Sequence, residues 1–149
     1  MVKPMEQHPD MTENRFQKHP LGKSFGKYMW HTIHIVALMW VPHGANAEYT
    51  NEDRRRVKNF YENLYIPCDE CDKNYIKHLN ENPLSPEVLK NNSTLFTWTV
   101  DLHNIVNKKL GKEIWSLDRA HEQFHKCDAC DNKRKVRYNW EKMYTGMMV

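Results

Sequence analysis

Apolar residues recur at intervals of three and four along most of this chain, the spacing that one face of an α-helix imposes. Phe25, Met29, Ile33, Val36, Ala37 and Trp40 form the first such stripe. It predicts a helix from Ser24, a favourable N-cap, to about Val41, where Pro42 and Gly44 stop it. Val57, Phe60, Tyr61 and Leu64 mark a second helix, which opens at Thr50 with Asp53 as a capping partner and ends before Pro67. Pro67 suits the opening of a third, carrying Cys68, Cys71, Tyr75, Ile76 and Leu79. Asn82-Pro83 and Ser85-Pro86 then interrupt the chain, leaving room for one turn between Glu87 and Lys90. A fourth helix is expected from Thr94 to Leu110, capped by Ser93 and closed by Gly111, with Leu95, Trp98, Leu102, Val106 and Leu110 as its buried stripe. Ser116 can cap a shorter fifth helix through about Lys126. No alternation of period two is sustained anywhere, so strands have little support. The expectation is an all-α fold: a four-helix bundle with a short fifth helix and a C-terminal extension. Its divisions are a flexible arm over 1–21, a core domain over 22–126 and a tail over 127–149.

Composition narrows this picture without changing it. The 149 residues are 40% hydrophobic and 28% charged, enough for one domain, and five Trp, seven Tyr and five Phe can fill a core. Disorder throughout is excluded, and seven Pro and five Gly without a period exclude collagen-like chains. The net charge of +3 is low for a dedicated nucleic-acid binder. The basic and aromatic run from Lys133 to Trp140 reads more simply as a solvated helix face than as a nucleic-acid contact. The longest apolar run, Tyr28 to Val41, holds two histidines and is too short for a bilayer. Met1 to Gly22 contains Glu6, Asp10 and Glu13 and no apolar h-region, so no secretory signal is expected. Neither nucleic acid nor membrane is expected among the partners.

The cysteines carry the chemistry. Four of them fall in two pairs, Cys68-Asp69-Glu70-Cys71 and Cys127-Asp128-Ala129-Cys130. Paired CxxC spacing points to redox dithiols or to metal ligands. At the start of a helix, unpaired backbone N–H groups and the helix dipole favour the thiolate that attacks disulfides. Asp69 and Glu70 oppose that effect. A redox pair needs an electron acceptor, and the absence of strands rules out a thioredoxin sheet. The fourth helix offers another possibility. His103, Asn104, Asn107, Lys108 and Lys112 form a polar ridge suited to a heteroaromatic ring joined to a pyrophosphate, or else a solvated face. The second pair could close a local disulfide. With His121 and His125 it also has zinc-like ligand types, although 55 residues between Cys71 and Cys127 disfavour one site built from all four thiols. The competing reading is a small zinc-stabilised binding or structural protein in which both pairs serve folding.

Three segments, in order, resemble the signatures of the Erv/ALR family of FAD-linked sulfhydryl oxidases. His103-Asn-x-Val106-Asn107-x-x-Leu110-Gly-Lys112 is similar to that family's flavin-binding motif. Gly26-Lys27-x-x-Trp30-x-x-Ile-His34 is similar to its Gly-Arg-x-x-Trp-x-x-Leu-His entry helix. Tyr65-Ile66-Pro67-Cys68-x-x-Cys71 resembles its Tyr-Pro-Cys-x-x-Cys centre with one residue added, and Trp98 falls where the family has a Trp. The resemblance implies a helical bundle holding FAD, and no metal. It makes Cys68 the interchange thiol and Cys71 the thiol beside the flavin. Trp30, His34, His103, Asn104 and Asn107 would line the cofactor, with Lys27, Lys108 and Lys112 near its phosphates. Gly26, Val106 and Leu110 belong to the same motifs, and Trp98 and Trp115 are further ring contacts. Cys127 and Cys130 would then be a shuttle dithiol, a third alternative beside the local disulfide and zinc.

The implied activity is oxidation of protein dithiols, among them thioredoxin-like or virion proteins, with O2 as final acceptor and hydrogen peroxide as product. A homodimer is implied as well. The chain departs from the pattern in several places. Lys27 replaces an Arg and loses its planar fork. Val100 and Leu117 stand where cellular members often carry an additional disulfide, and no CxxC precedes Cys68. A version with so few cross-links resembles the virus-encoded members, which implies host cytoplasm or virion, with the mitochondrial intermembrane space as the cellular alternative.

Overall fold

The described residues of the computed structural model, 20–44 and 46–125, form five helices and no strand. These are α1 (Pro20–Met39), α2 (Asn51–Glu62), α3 (Asp69–Glu81), α4 (Asn92–Lys109) and α5 (Leu117–His125). The all-α expectation holds, with several boundaries moved. Helix α1 begins at Pro20 rather than Ser24, because a proline in the first turn forfeits no intrahelical hydrogen bond. It ends at Met39, and the Tyr49 hydroxyl donates to the freed Trp40 carbonyl at 3.1 Å.

Helix α2 starts as expected. Thr50 Oγ1 accepts from the Asp53 N–H at 3.2 Å, and Asp53 Oδ2 accepts from the Thr50 N–H at 2.8 Å. Burial pushes the Asp53 carboxyl up, but hydrogen bonds from Thr50 and from His43 outweigh it and hold it below the usual range. The helix stops at Glu62, well before Pro67, where the Asn63 carboxamide donates back to the Asn59 carbonyl at 2.8 Å. Helix α4 is capped by Asn91, not Ser93. Asn91 Oδ1 accepts from Thr94 N–H, Thr94 Oγ1 accepts from Asn91 N–H, and the Ser93 hydroxyl donates instead to Asn46 Oδ1. At its other end Gly111 takes φ +65°, Gly111 N–H bonds Lys108 O, and Lys112 N–H bonds Asn107 O at 2.8 Å. This reversal is the glycine-closed stop read from the sequence.

Helix α1 packs along α4, and α5 lies against both. Helix α4 is the centre of the molecule. Leu95, Phe96, Trp98, Thr99, Val100 and Leu102 are all buried, more than one stripe, because neighbours cover several of its faces. The expected stripe ends at Leu102. Val106 is half-buried, and Leu110 is 60% exposed, since the helix has finished at Lys109 and its periodicity no longer applies.

One residue ties four helices together. Tyr61 of α2 is fully buried and its hydroxyl donates to Ile33 O of α1 at 2.7 Å. Its own carbonyl accepts from the Tyr75 hydroxyl of α3 at 2.7 Å, and its ring meets Trp98 of α4 edge to face, 5.4 Å between centroids. Burial pushes both phenols well up from the ordinary value, so neither ionises in the working pH range. Tyr61→Phe keeps the ring and removes one buried hydrogen bond. It should cost about 1 kcal/mol in denaturant unfolding, without changing the slope of the transition. No measurable loss would show that the Tyr61–Ile33 bond does not help to hold α2 on α1.

Candidate active site

Cys68 and Cys71 form a disulfide across the first turn of α3. Cys68 is the N-cap residue, and its sulfur accepts from the Cys71 N–H at 3.3 Å. The approach to it is fixed from both sides: Cys68 N–H bonds Ile66 O at 2.7 Å, and Asp72 Oδ1 accepts from Ile66 N–H at 3.0 Å. Cys71 packs half-buried against the core cluster, while Tyr65, just upstream, is 65% exposed. A sulfur at this position gains from the unpaired N–H groups of the helix start, so the Cys68 thiolate formed on reduction is stabilised by backbone that does not have to move.

The two ridges expected from the sequence meet. Trp30 of α1 stacks on His103 of α4 with centroids 3.9 Å apart and planes within 5°. His34, one turn after Trp30, places Nε2 2.9 Å from His103 Nδ1. Its other nitrogen, Nδ1, lies 2.9 Å from Thr99 Oγ1. Phe124 of α5 lies against the His34 ring at 4.3 Å, and Trp115 borders His103 at 5.9 Å. Both imidazoles titrate far below the ordinary 6.5. Burial, with the fields of His103 and His31, lowers His34 to about 3; burial and the Lys112 charge lower His103 to about 4. Both are therefore neutral around pH 7.

The polar part of the ridge divides into two uses. Asn104 holds the segment between α4 and α5: its Nδ2 donates to Trp115 O and its Oδ1 accepts from Trp115 N–H, each at 2.9 Å. Asn107, one turn after His103, is 5% exposed, and its carboxamide has no hydrogen-bond partner among the described residues. Lys27, Lys108 and Lys112 are exposed and without an ion pair among the described residues. Flat aromatic faces, a sheltered unpaired carboxamide and unpaired ammonium groups fit a heterocycle linked to a pyrophosphate, as FAD is. Gly26 and Val106 lie half-buried on the two helices of this ridge.

Trp98 stands apart from the stack. Its indole N–H donates to Asn82 O at 2.9 Å and its ring meets Tyr61. His121 packs on Phe96, 4.4 Å between centroids. Among the described residues no three His, Cys, Asp or Glu side chains gather as metal ligands. Cys127 and Cys130 lie outside the described residues. Sequence reasoning missed two members of the cluster, Thr99 and Phe124. Thr99 sits one turn before His103, and that spacing alone places its hydroxyl on the ridge.

Three comparisons with known proteins bear on the chain's family and fold. A family model, that of the Erv1 / Alr family, matches residues 27–125. A probable FAD-linked sulfhydryl oxidase of Acanthamoeba polyphaga mimivirus is 38% identical over 121 residues, 79% of this chain and 79% of the relative. An FAD-linked sulfhydryl oxidase of African swine fever virus is 35% identical over 96 residues, 62% of this chain and 74% of the relative. Among solved structures, the FAD-binding domain of Erv1 from Saccharomyces cerevisiae superposes with a TM-score of 0.57 at 26% identity, covering 68% of this chain and 91% of that one.

The neutral imidazoles carry a stability consequence. In the unfolded chain both histidines take up protons near pH 6.5, whereas the folded chain refuses them down to about pH 4 and about pH 3. Their contribution is intact above pH 6.5 and shrinks as pH falls through that value. Urea midpoints measured between about pH 7 and about pH 5, before carboxylates titrate, should therefore decline steadily. A flat profile would contradict the burial of the pair.

Proposed function

This chain belongs to the Erv1 / Alr family, and on that premise we propose that it is an FAD-dependent thiol oxidase. It forms disulfide bonds in protein substrates and passes the electrons to O2, releasing hydrogen peroxide. The observation that carries the reading is a CxxC disulfide at a helix start in a chain whose α1 and α4 join Trp30, His34 and His103 in one aromatic cluster.

Residues 22–126 form the oxidase domain. Trp30, His34, His103 and Asn107 hold the ring system and its linker. Gly26 and Val106 shape the helix faces beside them, and Lys27, Lys108 and Lys112 meet the phosphates. Asn104 acts indirectly, by fixing Trp115 at the edge of the cluster. Leu110 follows α4 at the rim.

The protein's own part is thiol–disulfide exchange. A substrate thiolate attacks Cys68 Sγ, the Cys68–Cys71 bond breaks, and Cys71 leaves as a thiolate. The second substrate thiol, losing its proton, attacks the substrate sulfur of the mixed disulfide. The substrate departs as a disulfide and Cys68 is left as a thiolate, eased by the Cys71 N–H and the α3 dipole. Cys68, at the N-cap, is the one that meets substrate, and Cys71, packed against the core cluster, is the one that faces the flavin. Bound FAD supplies a two-electron acceptor for the resulting dithiol, which closes again to the disulfide, and a route for the pair to O2. Neutral His34 and His103 add no positive charge beside the ring.

Cys127 and Cys130 serve as the shuttle that collects electrons from protein substrates. Exposed Tyr28 and Ile35 share one face of α1, which suits a homodimer contact. The virus-encoded relatives favour a virus-encoded protein working in host cytoplasm or virion.

Oxygen uptake with a small dithiol tests these roles. Cys71→Ser should lose turnover by about a thousandfold while retaining flavin. Cys127→Ser should stay within about twofold on the small dithiol and slow about tenfold on a reduced protein. Full turnover in Cys71→Ser would overturn the assignment of the electron-donating thiol.

A further inference from the structure

Behind the two histidines lies a group that none of the chemistry so far has used. Thr99 is fully buried on α4, and its Oγ1 sits 2.7 Å from Phe96 O and 2.9 Å from His34 Nδ1. A hydroxyl has one proton, and a carbonyl oxygen can only accept. At 2.7 Å the proton must lie between Thr99 and Phe96, since otherwise two lone pairs would face each other. Thr99 Oγ1 is then left with acceptor capacity alone, and His34 Nδ1 must be the protonated nitrogen. His34 is neutral, so its Nε2 carries a lone pair and receives the hydrogen bond from His103. His103 Nδ1 is thereby the protonated nitrogen of that ring. His103 is neutral too, and its Nε2 is an acceptor on the opposite ring edge.

We infer that Thr99 is a positioning residue which, through His34, fixes His103 as a hydrogen-bond acceptor toward the bound cofactor. The Trp30 stack on His103 and the Phe124 contact on His34 keep both rings from turning to escape this order. A group meeting His103 Nε2 must therefore offer a hydrogen. On a flavin dinucleotide that means a hydroxyl, an imide N–H or an amine, and never a carbonyl or phosphate oxygen. The carboxamide of Asn107, one turn on, can give as well as accept, so the ridge presents one edge that only accepts and one that does both. The arrangement selects how the cofactor lies without adding a charge to the site. The inference rests on the FAD reading, but its first step does not require FAD to be present.

Long-range 1H–15N spectra of the histidine-labelled full-length chain, with and without added FAD, test it, together with the FAD dissociation constant and visible spectrum of each variant. Wild type and Thr99→Ser should show His34 and His103 both protonated at Nδ1. Thr99→Val removes the one acceptor that the described residues offer His34 Nδ1–H, so His34 should move its proton to Nε2 and push His103 to the Nε2–H form. FAD should then bind about tenfold more weakly, while Thr99→Ser stays within about twofold of wild type. Should Thr99→Val fold poorly, the wild-type and Thr99→Ser spectra decide: His34 protonated at Nε2 in either overturns the inference. So does an unchanged proton order in a folded Thr99→Val, or a changed order with unaltered FAD affinity and spectrum. If none of the proteins binds FAD, the functional reading fails and the cofactor role of Thr99 with it, while the spectra of the free protein still report the proton order separately.

Discussion

The site depends on α1 and α4 lying close enough for one imidazole to hydrogen-bond another. The His34 Nε2 to His103 Nδ1 distance of 2.9 Å leaves no room for a side chain or a water between the two helices at that level. Everything aromatic is arranged around it. Trp30 lies flat on His103, Phe124 packs against His34, and Trp115 is held at the edge by the Asn104 carboxamide. Two neutral imidazoles tolerate this burial because each donates or accepts where the other needs it. A charged pair would not, because burial and mutual repulsion both disfavour protonation.

The rest of the fold sets that contact. Tyr61 joins α2 to α1 and, through Tyr75 and Trp98, to α3 and α4. The same core carries Cys71 on its flank, so the redox pair and the aromatic cluster are parts of one packed body. The described part of the chain contains one cross-link, and that one lies within a single helical turn, where it constrains little of the unfolded chain. The bundle therefore relies on packing and buried hydrogen bonds, which makes the tyrosine bridges and the helix caps matter more here than they would in a more heavily cross-linked relative.

Much of this was legible in the sequence where a local rule was decisive. The Thr50/Asp53 box and the Gly111 stop involve residues close in sequence and appeared where their chemistry placed them. The family signatures put Trp30, His34 and His103 around one cofactor and the structure brings those three rings together, whereas helical spacing alone left the His103 face open to a solvated reading. What was not legible required knowing which neighbours surround a helix. Asn91 displaced Ser93 as a cap because Ser93 had Asn46, 47 residues away, as a partner. Leu110 seemed part of a buried stripe only on the assumption that α4 continued through it. Spacing puts Thr99 on the His103 face, but its partner, a histidine 65 residues earlier, is set by the packing of two helices and not by that spacing. Asn104 looked like a ligand-facing amide and proved to be held by the Trp115 backbone.

A visible absorption spectrum of the purified full-length chain, freed of unbound small molecules, tests the central claim most directly. The account predicts a yellow protein with a band at about 450 nm and about one flavin per chain, bleached by a dithiol without air and restored by O2. A colourless protein that takes up no added FAD, with or without bound zinc, would contradict it.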